Sequence, residues 1–258
     1  MIQSLLAILS GGIVGFTLGL IGGGGSIMAT PLLLYVVGLQ PHVAIGTGAL
    51  AVSANAFINF AGHARRGNVR WRTAALFALV GAIAAAVGSI AGKSFNGGRL
   101  LFLFAVLMIV IGVIMLRRGS KPAAADVPEV ERPLLVVASA SGVGLLAGFF
   151  GIGGGFLIVP GLLFSTGMPM IFAVGSSLLA VGTFGLTTAI SYAYSGLVDW
   201  SVAGEYILGG IAGGYLGLTL ATRLAGQKAA LNRIFAGVVF AVAIYMLYRN
   251  AAAFGLHI

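Results

Sequence analysis

The stretch GGGGSIMATP, residues 22–31, decides how this chain folds. Its four consecutive glycines interrupt an apolar run that would otherwise continue as one long helix. A helix that breaks at membrane depth leaves backbone N–H and C=O groups unpaired, and hydrocarbon cannot pair with them. Such a break is tolerated only inside protein or beside a water-filled cavity. The sequence therefore predicts that other helices surround this break.

A second break of the same kind follows at GIGGGFLIVP, residues 151–160. The two motifs end at Pro31 and Pro160, which are 129 residues apart, and the same offset aligns further pairs without a gap. These pairs are Gly19 with Gly148, Gly38 with Gly167, Gly46 with Gly175, Gly67 with Gly196, Trp71 with Trp200, Gly81 with Gly210 and Gly88 with Gly217. Chance similarity between apolar helices would align Leu and Ala instead, so the pattern indicates an internal duplication. A break that recurs in both halves is typical of a transport site.

The composition indicates that a bilayer is the main solvent of this chain. Of its 258 residues, 59% are hydrophobic and 7% are charged, against roughly 25% charged in soluble domains. The formal charge of +9 comes from bases in short loops between apolar spans, where they set orientation, so it does not indicate nucleic-acid binding. The chain has no cysteine, which excludes disulfides and cysteine-ligated metals. We expect no cofactor and no bound metal.

An all-α polytopic membrane protein is the predicted fold class. Each half has a glycine-broken pair of apolar pieces followed by three full spans. The predicted pieces are 4–21, 26–37, 43–62, 73–92 and 100–116 in the first half, and 134–150, 156–166, 171–195, 202–222 and 231–248 in the second. We divide the chain into a first repeat at 1–116, a polar cytoplasmic linker at 117–133 and a second repeat at 134–258.

The loop charges predict that the two repeats are inverted relative to each other. The loop at 63–72 contains four arginines, whereas its repeat mate at 192–201 contains none and has Asp199. Basic loops stay in the cytoplasm, so the two loops should lie on opposite faces of the membrane. Inversion requires an odd number of crossings per half. The number is five if both short pieces cross and three if they form a re-entrant hairpin, and the sequence leaves both open.

The G-x-G-G-G-x-x-x-x-P pattern resembles the TauE/SafE sulfite exporter family, also called the sulfonate uptake permease group. The resemblance covers essentially the whole chain, and the first copy departs from the pattern with Ser26 where the second has Gly155. It implies a secondary carrier of small sulfur-containing anions in the plasma (inner) membrane. Members differ in substrate and direction. The positions that carry over are Gly22, Gly24, Gly25, Pro31, Gly151, Gly153, Gly154 and Pro160.

We interpret the two breaks as a cradle for an anion. Glycine lets the backbone approach a ligand closely, and the short helix that follows presents unpaired N–H groups and a positive dipole end. The predicted substrate-contacting residues of the breaks are Gly22, Gly23, Gly24, Gly25, Ser26, Gly151, Gly153, Gly154 and Gly155. The alternative is that the glycines only permit tight helix crossing. Pro31 and Pro160 are expected in the early turn of the following helix, and Trp71 and Trp200 are expected to be structural.

Polar side chains within the spans extend the predicted site. Asn55, Asn59 and His63 follow i, i+4, i+8 spacing and share one helix face, where they line a substrate path or bond across helices. Other predicted contacts are the hydroxyls of Thr47, Ser176 and Ser177. The candidates for proton coupling are Glu205 and His63. Without them, the carrier is a uniporter or co-transports the proton on its substrate.

The leading functional prediction is export of a small sulfur oxyanion by alternating access. Alternatives are uptake of an organosulfonate, a passive anion channel, and a membrane-embedded enzyme. The last would need clustered acids, bases, nucleophiles or metal ligands in the spans, and the sequence has no such cluster, so we expect no enzyme. The expected partners are the oxyanion and the lipid bilayer. A homo-oligomer is compatible with the sequence, and nucleic acid is not expected.

Overall fold

A computed structural model describes residues 2–21, 23–117, 133–151, 153–223 and 228–250, which form α-helices, one 3-10 helix and short turns. The helices are α1 Ile2–Ile21, the 3-10 helix Gly23–Met28, α2 Ala29–Tyr35, α3 Pro41–Arg65, α4 Trp71–Ser94, α5 Gly97–Arg117, α6 Pro133–Phe150, α7 Gly155–Thr166, α8 Met170–Ala193, α9 Trp200–Arg223 and α10 Lys228–Asn250. The predicted all-α class is confirmed. The predicted linker lies almost wholly outside the described residues.

The outer surface is apolar, as the bilayer prediction requires. On α4 the side chains of Leu79, Ile83, Val87 and Ile90 are each more than half exposed, and their spacing places them in one stripe along the helix. By length and composition, five of the described helices can each cross a membrane: α1, α3, α4, α6 and α8. The chain is therefore a multi-span membrane protein.

The two halves interleave rather than forming separate bundles. Helix α1 packs along α9 of the other half, and α6 packs along α4. The closest approaches occur at glycines: Gly15 faces the carbonyl of Gly210, and Gly144 faces the carbonyl of Gly81, so that a Cβ at Gly15 or Gly144 would overlap backbone atoms. The offset of 129 converts the first contact into the second. The fold therefore has a pseudo-two-fold axis that exchanges the halves.

The axis passes between α3 and α8, which are repeat mates. The Ser53 Oγ donates a hydrogen bond of 2.7 Å to the Gly182 carbonyl, and these two residues are themselves 129 apart. Nearby, a Cβ placed on Gly153 would lie 3.3 Å from Val52 Cγ1 and 3.5 Å from the Val181 carbonyl. Val52 and Val181 are also repeat mates. The second glycine break therefore lies at the pseudo-two-fold axis.

Helices α3 and α8 run in opposite directions. Gly46, near the start of α3, contacts Tyr192 near the end of α8, whereas Gly185 contacts Ala49 and Ser53 further along α3. Because the two helices are repeat mates, this antiparallel pairing is the arrangement that inverted repeats produce.

Four further helix pairs extend this pattern to all six helices that surround the axis. Helix α9 runs parallel to both α1 and α3, and α4 runs parallel to both α6 and α8; the successive contacts of Gly11, Gly15 and Gly19 along α9 show one such pair. Each of the six therefore runs opposite to its repeat mate. The basic loop after α3 consequently lies at the opposite end of the molecule from the loop after α8. Insertion of the halves in opposite orientations in the bilayer stays a prediction, which this geometry supports.

The first break returns the chain to the end from which it came. The Gln3 side-chain amide, in the first turn of α1, donates to the Val37 carbonyl at 3.4 Å, just after α2. Helix α1 has 20 residues, so it is roughly 30 Å long and matches a bilayer core. The 3-10 helix and α2 then run back beside it. Both predicted numbers of membrane crossings per half, three and five, require such a hairpin.

Candidate functional site

The second break is a left-handed glycine turn between α6 and α7. Gly151, Gly153 and Gly154 have φ of 66°, 63° and 68°, a conformation that costs other residues roughly 1–2 kcal/mol each. A Cβ on Gly151 would overlap Ile45, and one on Gly154 would lie 2.6 Å from the Cβ of Ala147. Both the backbone conformation and the close packing therefore require glycine here, in agreement with the tight-crossing interpretation.

Helix α7 starts buried and without a side chain that caps it. Its N-cap is Gly154, and the first two residues, Gly155 and Phe156, are buried. The first N–H groups of a helix have no partner within the helix, which makes a buried N-terminus of this kind suited to an anion. This arrangement is compatible with the cradle, whose contact with substrate stays a prediction.

The expectation that the prolines lie in an early helical turn is confirmed for Pro31 and wrong for Pro160. Pro31 is the third residue of α2 and lies in its first turn, directly after the 3-10 helix. Pro160 is the sixth residue of α7 and lies inside the helix. Proline cannot donate to the preceding turn and therefore locally weakens α7.

The first break has a different backbone from the second. Gly22 lies outside the described residues, while Gly23, Gly24, Gly25 and Ser26 belong to the 3-10 helix. A Cβ on Gly25 would lie 2.5 Å from the backbone nitrogen of Leu18, so this glycine permits close packing against α1. Ser26 is fully buried. Equivalent glycines in the two halves thus form a 3-10 helix in one and a left-handed turn in the other.

The hydroxyls of Thr47 and Ser176 join the two halves. Thr47 Oγ1 accepts the backbone N–H of Asp199 at 2.9 Å, and Ser176 Oγ accepts that of Arg70 at 3.0 Å. The offset converts one bond into the other, and each bond satisfies an N–H just before α9 or α4. Ser177 Oγ donates to the Val174 carbonyl of its own helix at 2.8 Å. The predicted contact of these three hydroxyls with substrate stays a prediction.

The predicted polar face of α3 is buried inside the bundle. Asn55, Asn59 and His63 are all at most 7% exposed. Asn59 Nδ2 donates to the Asn55 carbonyl at 2.9 Å, so this amide bonds its own helix. Both amide atoms of Asn55 lack a partner among the described residues, and so does Nδ1 of His63. Asn55 packs against Gly210 of α9, which leaves room for its side chain.

Sequence reasoning missed Tyr206. This residue is fully buried on α9, one turn before Gly210, and its hydroxyl has no partner among the described residues. Its repeat mate is Phe77, and the mate of Asn55 is Phe184. A position-by-position comparison of the two halves would have revealed that Asn55 and Tyr206 stand where their repeat mates are both phenylalanine.

The remaining predicted residues lie in the first two turns of α4 and α9. Glu205 is partly buried in the second turn of α9. Trp71 and Trp200 are 61% and 66% exposed at the starts of α4 and α9, as aromatic residues at a membrane–water interface are. Among the described residues no group of three His, Cys, Asp or Glu side chains is arranged to hold a metal.

Two cavities lie outside the glycine turns. One of about 280 Å³ lies between α4 and α6 and is lined by Arg72, Thr73 and Pro133, among others. The other, of about 120 Å³, lies between α2 and α10 and is lined by apolar side chains that include Met28 and Pro31.

The family model for the sulfite exporter TauE/SafE matches residues 7–246. The chain belongs to the TauE/SafE family. A probable membrane transporter protein of Xylella fastidiosa (strain 9a5c) is 56% identical over 256 residues, covering 98% of each chain. The probable membrane transporter protein YunE of Bacillus subtilis (strain 168) is 26% identical over 263 residues, covering 93% of this chain and 96% of its own length.

No solved structure matches this chain. The TauE/SafE match confirms the resemblance predicted from the glycine–proline pattern. Family and relatives agree on a membrane transporter rather than an enzyme. The apolar spans of the structure make it a multi-pass one.

Proposed function

We propose that this TauE/SafE protein is a secondary carrier that exports a small sulfur oxyanion, such as sulfite, across the plasma membrane by alternating access. The observation that carries the proposal is the placement of the second glycine break against Val52 and Val181 at the axis between the halves. Carriers built from inverted repeats bind substrate where such broken helices meet. The name of the family supplies the class of substrate.

The symmetry of the fold supports the alternating access in this proposal. Because the halves are equivalent but not identical, exchanging their two conformations would convert a site open to one face into a site open to the other. The bonds from Thr47 and Ser176 hold the ends of α4 and α9 to the opposite half. The parts that move in this proposal are the broken segments between them.

Flux into proteoliposomes tests the proposal. Purified protein should give saturable sulfite flux and counterflow, and sulfite, thiosulfate, sulfoacetate or taurine should raise its unfolding temperature if it binds. A passive channel would show neither saturation nor counterflow. Comparing right-side-out with inside-out membrane vesicles gives the direction, and net uptake into cells would contradict export. If none of the four anions binds or moves, the proposed substrate class is wrong.

Two glycine variants distinguish damage to the anion cradle from a general effect of backbone strain. Gly153→Ala and Gly167→Ala both place alanine at a left-handed position, with φ of 63° and 68°, but Gly167 lies in the turn after α7. Both should lose roughly 1–2 kcal/mol of stability. Only Gly153→Ala should lose sulfite flux per folded molecule, measured after size-exclusion chromatography. Equal flux in the two variants would remove the second break from the substrate site.

A further inference from the structure

The two halves differ at one pair of buried side chains where α4 meets α8 and α9 meets α3. In the α4–α8 pair, the rings of Phe77 and Phe184 stack with centroids 6.2 Å apart, and Phe184 fills the space left by Gly81. The repeat mates of these two residues are Tyr206 and Asn55. Asn55 fills the equivalent space at Gly210. The α4–α8 contact therefore contains an apolar pair, whereas the equivalent contact between α9 and α3 contains a polar pair.

The polar pair has no partners to compensate for its burial. Asn55 and Tyr206 are both 0% exposed, and the Asn55 Nδ2, the Asn55 Oδ1 and the Tyr206 hydroxyl each lack a hydrogen bond among the described residues. Buried polar atoms are normally satisfied, because leaving one unpaired forfeits its interaction with water. Three such atoms, on Asn55 against Gly210 and on Tyr206 one turn before Gly210, point to a ligand that pairs with them.

The apolar pair lies beside the second glycine break. A Cβ placed on Gly154 would lie 3.5 Å from the Phe184 ring. The repeat mates of Gly154 and Phe184 are Gly25 and Asn55, but the first break has a different backbone, and the atoms nearest a Cβ on Gly25 belong to Thr17 and Leu18 of α1. The inference about the polar pair therefore rests on the contact between α3 and α9.

The chemistry of these atoms defines the ligand. The Asn55 Nδ2 and the Tyr206 hydroxyl are donors, which suit the oxygens of an anion, whereas the Asn55 Oδ1 is an acceptor and requires a donor. We propose that Asn55 and Tyr206 form a half-site for a singly protonated sulfur oxyanion, with the proton of the ligand directed at the Asn55 Oδ1. This inference rests on the proposed function. It makes the substrate itself the carrier of the proton.

Two conservative variants test the half-site in the whole protein. Tyr206→Phe removes only the hydroxyl, and Asn55→Leu removes the amide at similar volume. Because the lost groups are unpaired, the ligand-free variants should unfold at or above the wild-type temperature. Each should weaken sulfite binding, measured by thermal shift and by the KM of flux, about tenfold or more. The control is Tyr192→Phe, which removes another buried, unpaired hydroxyl at the far end of α8 and should leave sulfite binding unchanged.

The protonated form is tested by comparing two anions at a mildly acidic pH. Sulfite then carries one proton, whereas methanesulfonate carries none. Wild-type protein should bind sulfite about tenfold more tightly, and Asn55→Leu should lose this preference. If Asn55→Leu and Tyr206→Phe transport and bind sulfite as well as the wild-type protein does, the half-site is overturned. If the wild-type protein binds sulfite and methanesulfonate with equal affinity, the selectivity of the half-site is overturned. Absence of any wild-type transport would instead contradict the proposed function.

Discussion

The two glycine breaks are repeat mates, yet their backbones differ. The first, at Gly23–Met28, is a 3-10 helix that leads into α2, which has 7 residues. The second is a turn of three left-handed glycines that leads into α7, which has 12 residues. The shared glycines thus permit two conformations rather than dictating one. The equivalent contacts α4–α8 and α9–α3 likewise differ, with an apolar pair in the first and a polar pair in the second.

The comparison suggests that the breaks have different mechanical roles. The second is held by contacts of Gly151 and Gly154 with neighbouring side chains and by a backbone that only glycine adopts readily. The first has 3-10 geometry, whose hydrogen bonds are poorer, and such stretches often mark functional hinges. We expect the first break to move further during transport and the second to act as its support.

The largest predicted effect concerns the inverted orientation of the two repeats that contain these breaks. The chain has no cysteine, so single cysteines can be introduced at Arg66 and Ser195, which are repeat mates in the loops after α3 and α8. A membrane-impermeant thiol reagent added to right-side-out vesicles should label Ser195→Cys and not Arg66→Cys. In inside-out vesicles the result should reverse. Labelling of both from the same face would show that the repeats are not inverted.

A smaller effect is expected from adding a side chain to the second break at Gly151. Gly151→Ala should lose roughly 1–2 kcal/mol from its left-handed backbone and roughly 1–3 kcal/mol from overpacking against Ile45. Gly67 has φ of 72° and no atom within contact distance of an added Cβ. Gly67→Ala should therefore lose only the backbone part. Equal unfolding temperatures for the two variants would show that Ile45 does not hold the second break.

The smallest predicted effect tests whether equivalent hydrogen bonds stabilise the two halves equally. Thr47→Val and Ser176→Ala each remove the acceptor for one backbone N–H, before α9 and α4 respectively. Each should lose roughly 1–2 kcal/mol, and the losses should add in the double variant because the two bonds lie at opposite ends of the bundle. Thermal unfolding of the four proteins provides the measurement. If only one of the two single variants lost stability, the two hydrogen bonds would not contribute equally to holding the halves together.

Most of the helical scaffold could be predicted because apolar runs of bilayer length have few alternatives. The span predicted at 73–92, for example, is helix α4 at Trp71–Ser94. The backbone of the breaks could not be predicted, because glycine permits both the 3-10 helix and the left-handed turn. The choice between them depends on which side chains surround each break, and those come from distant parts of the chain.

Some features of the candidate site could also be predicted from the sequence. Helical spacing placed Asn55, Asn59 and His63 on one buried face, which the structure confirms. Spacing could not show that the Thr47 hydroxyl accepts a bond from Asp199, because the two residues are 152 positions apart. Tyr206 was missed because an aromatic residue in an apolar span carries no distinct signal until its repeat mate is considered.

The glycine-lined contact between α1 and α9 has a consequence for biosynthesis. Gly11 meets Tyr206, which is 195 residues later in the chain, so the glycine stripe of α1 has no α9 to pack against when α1 leaves the ribosome. At about 5–20 residues per second, it waits roughly 10–40 s before α9 is made. During that time its glycine stripe is exposed to lipid or to the insertion machinery. Helices α4 and α6 complete their equivalent contact much sooner. Assembly should therefore begin at the centre of the sequence and finish with the helix that was synthesised first.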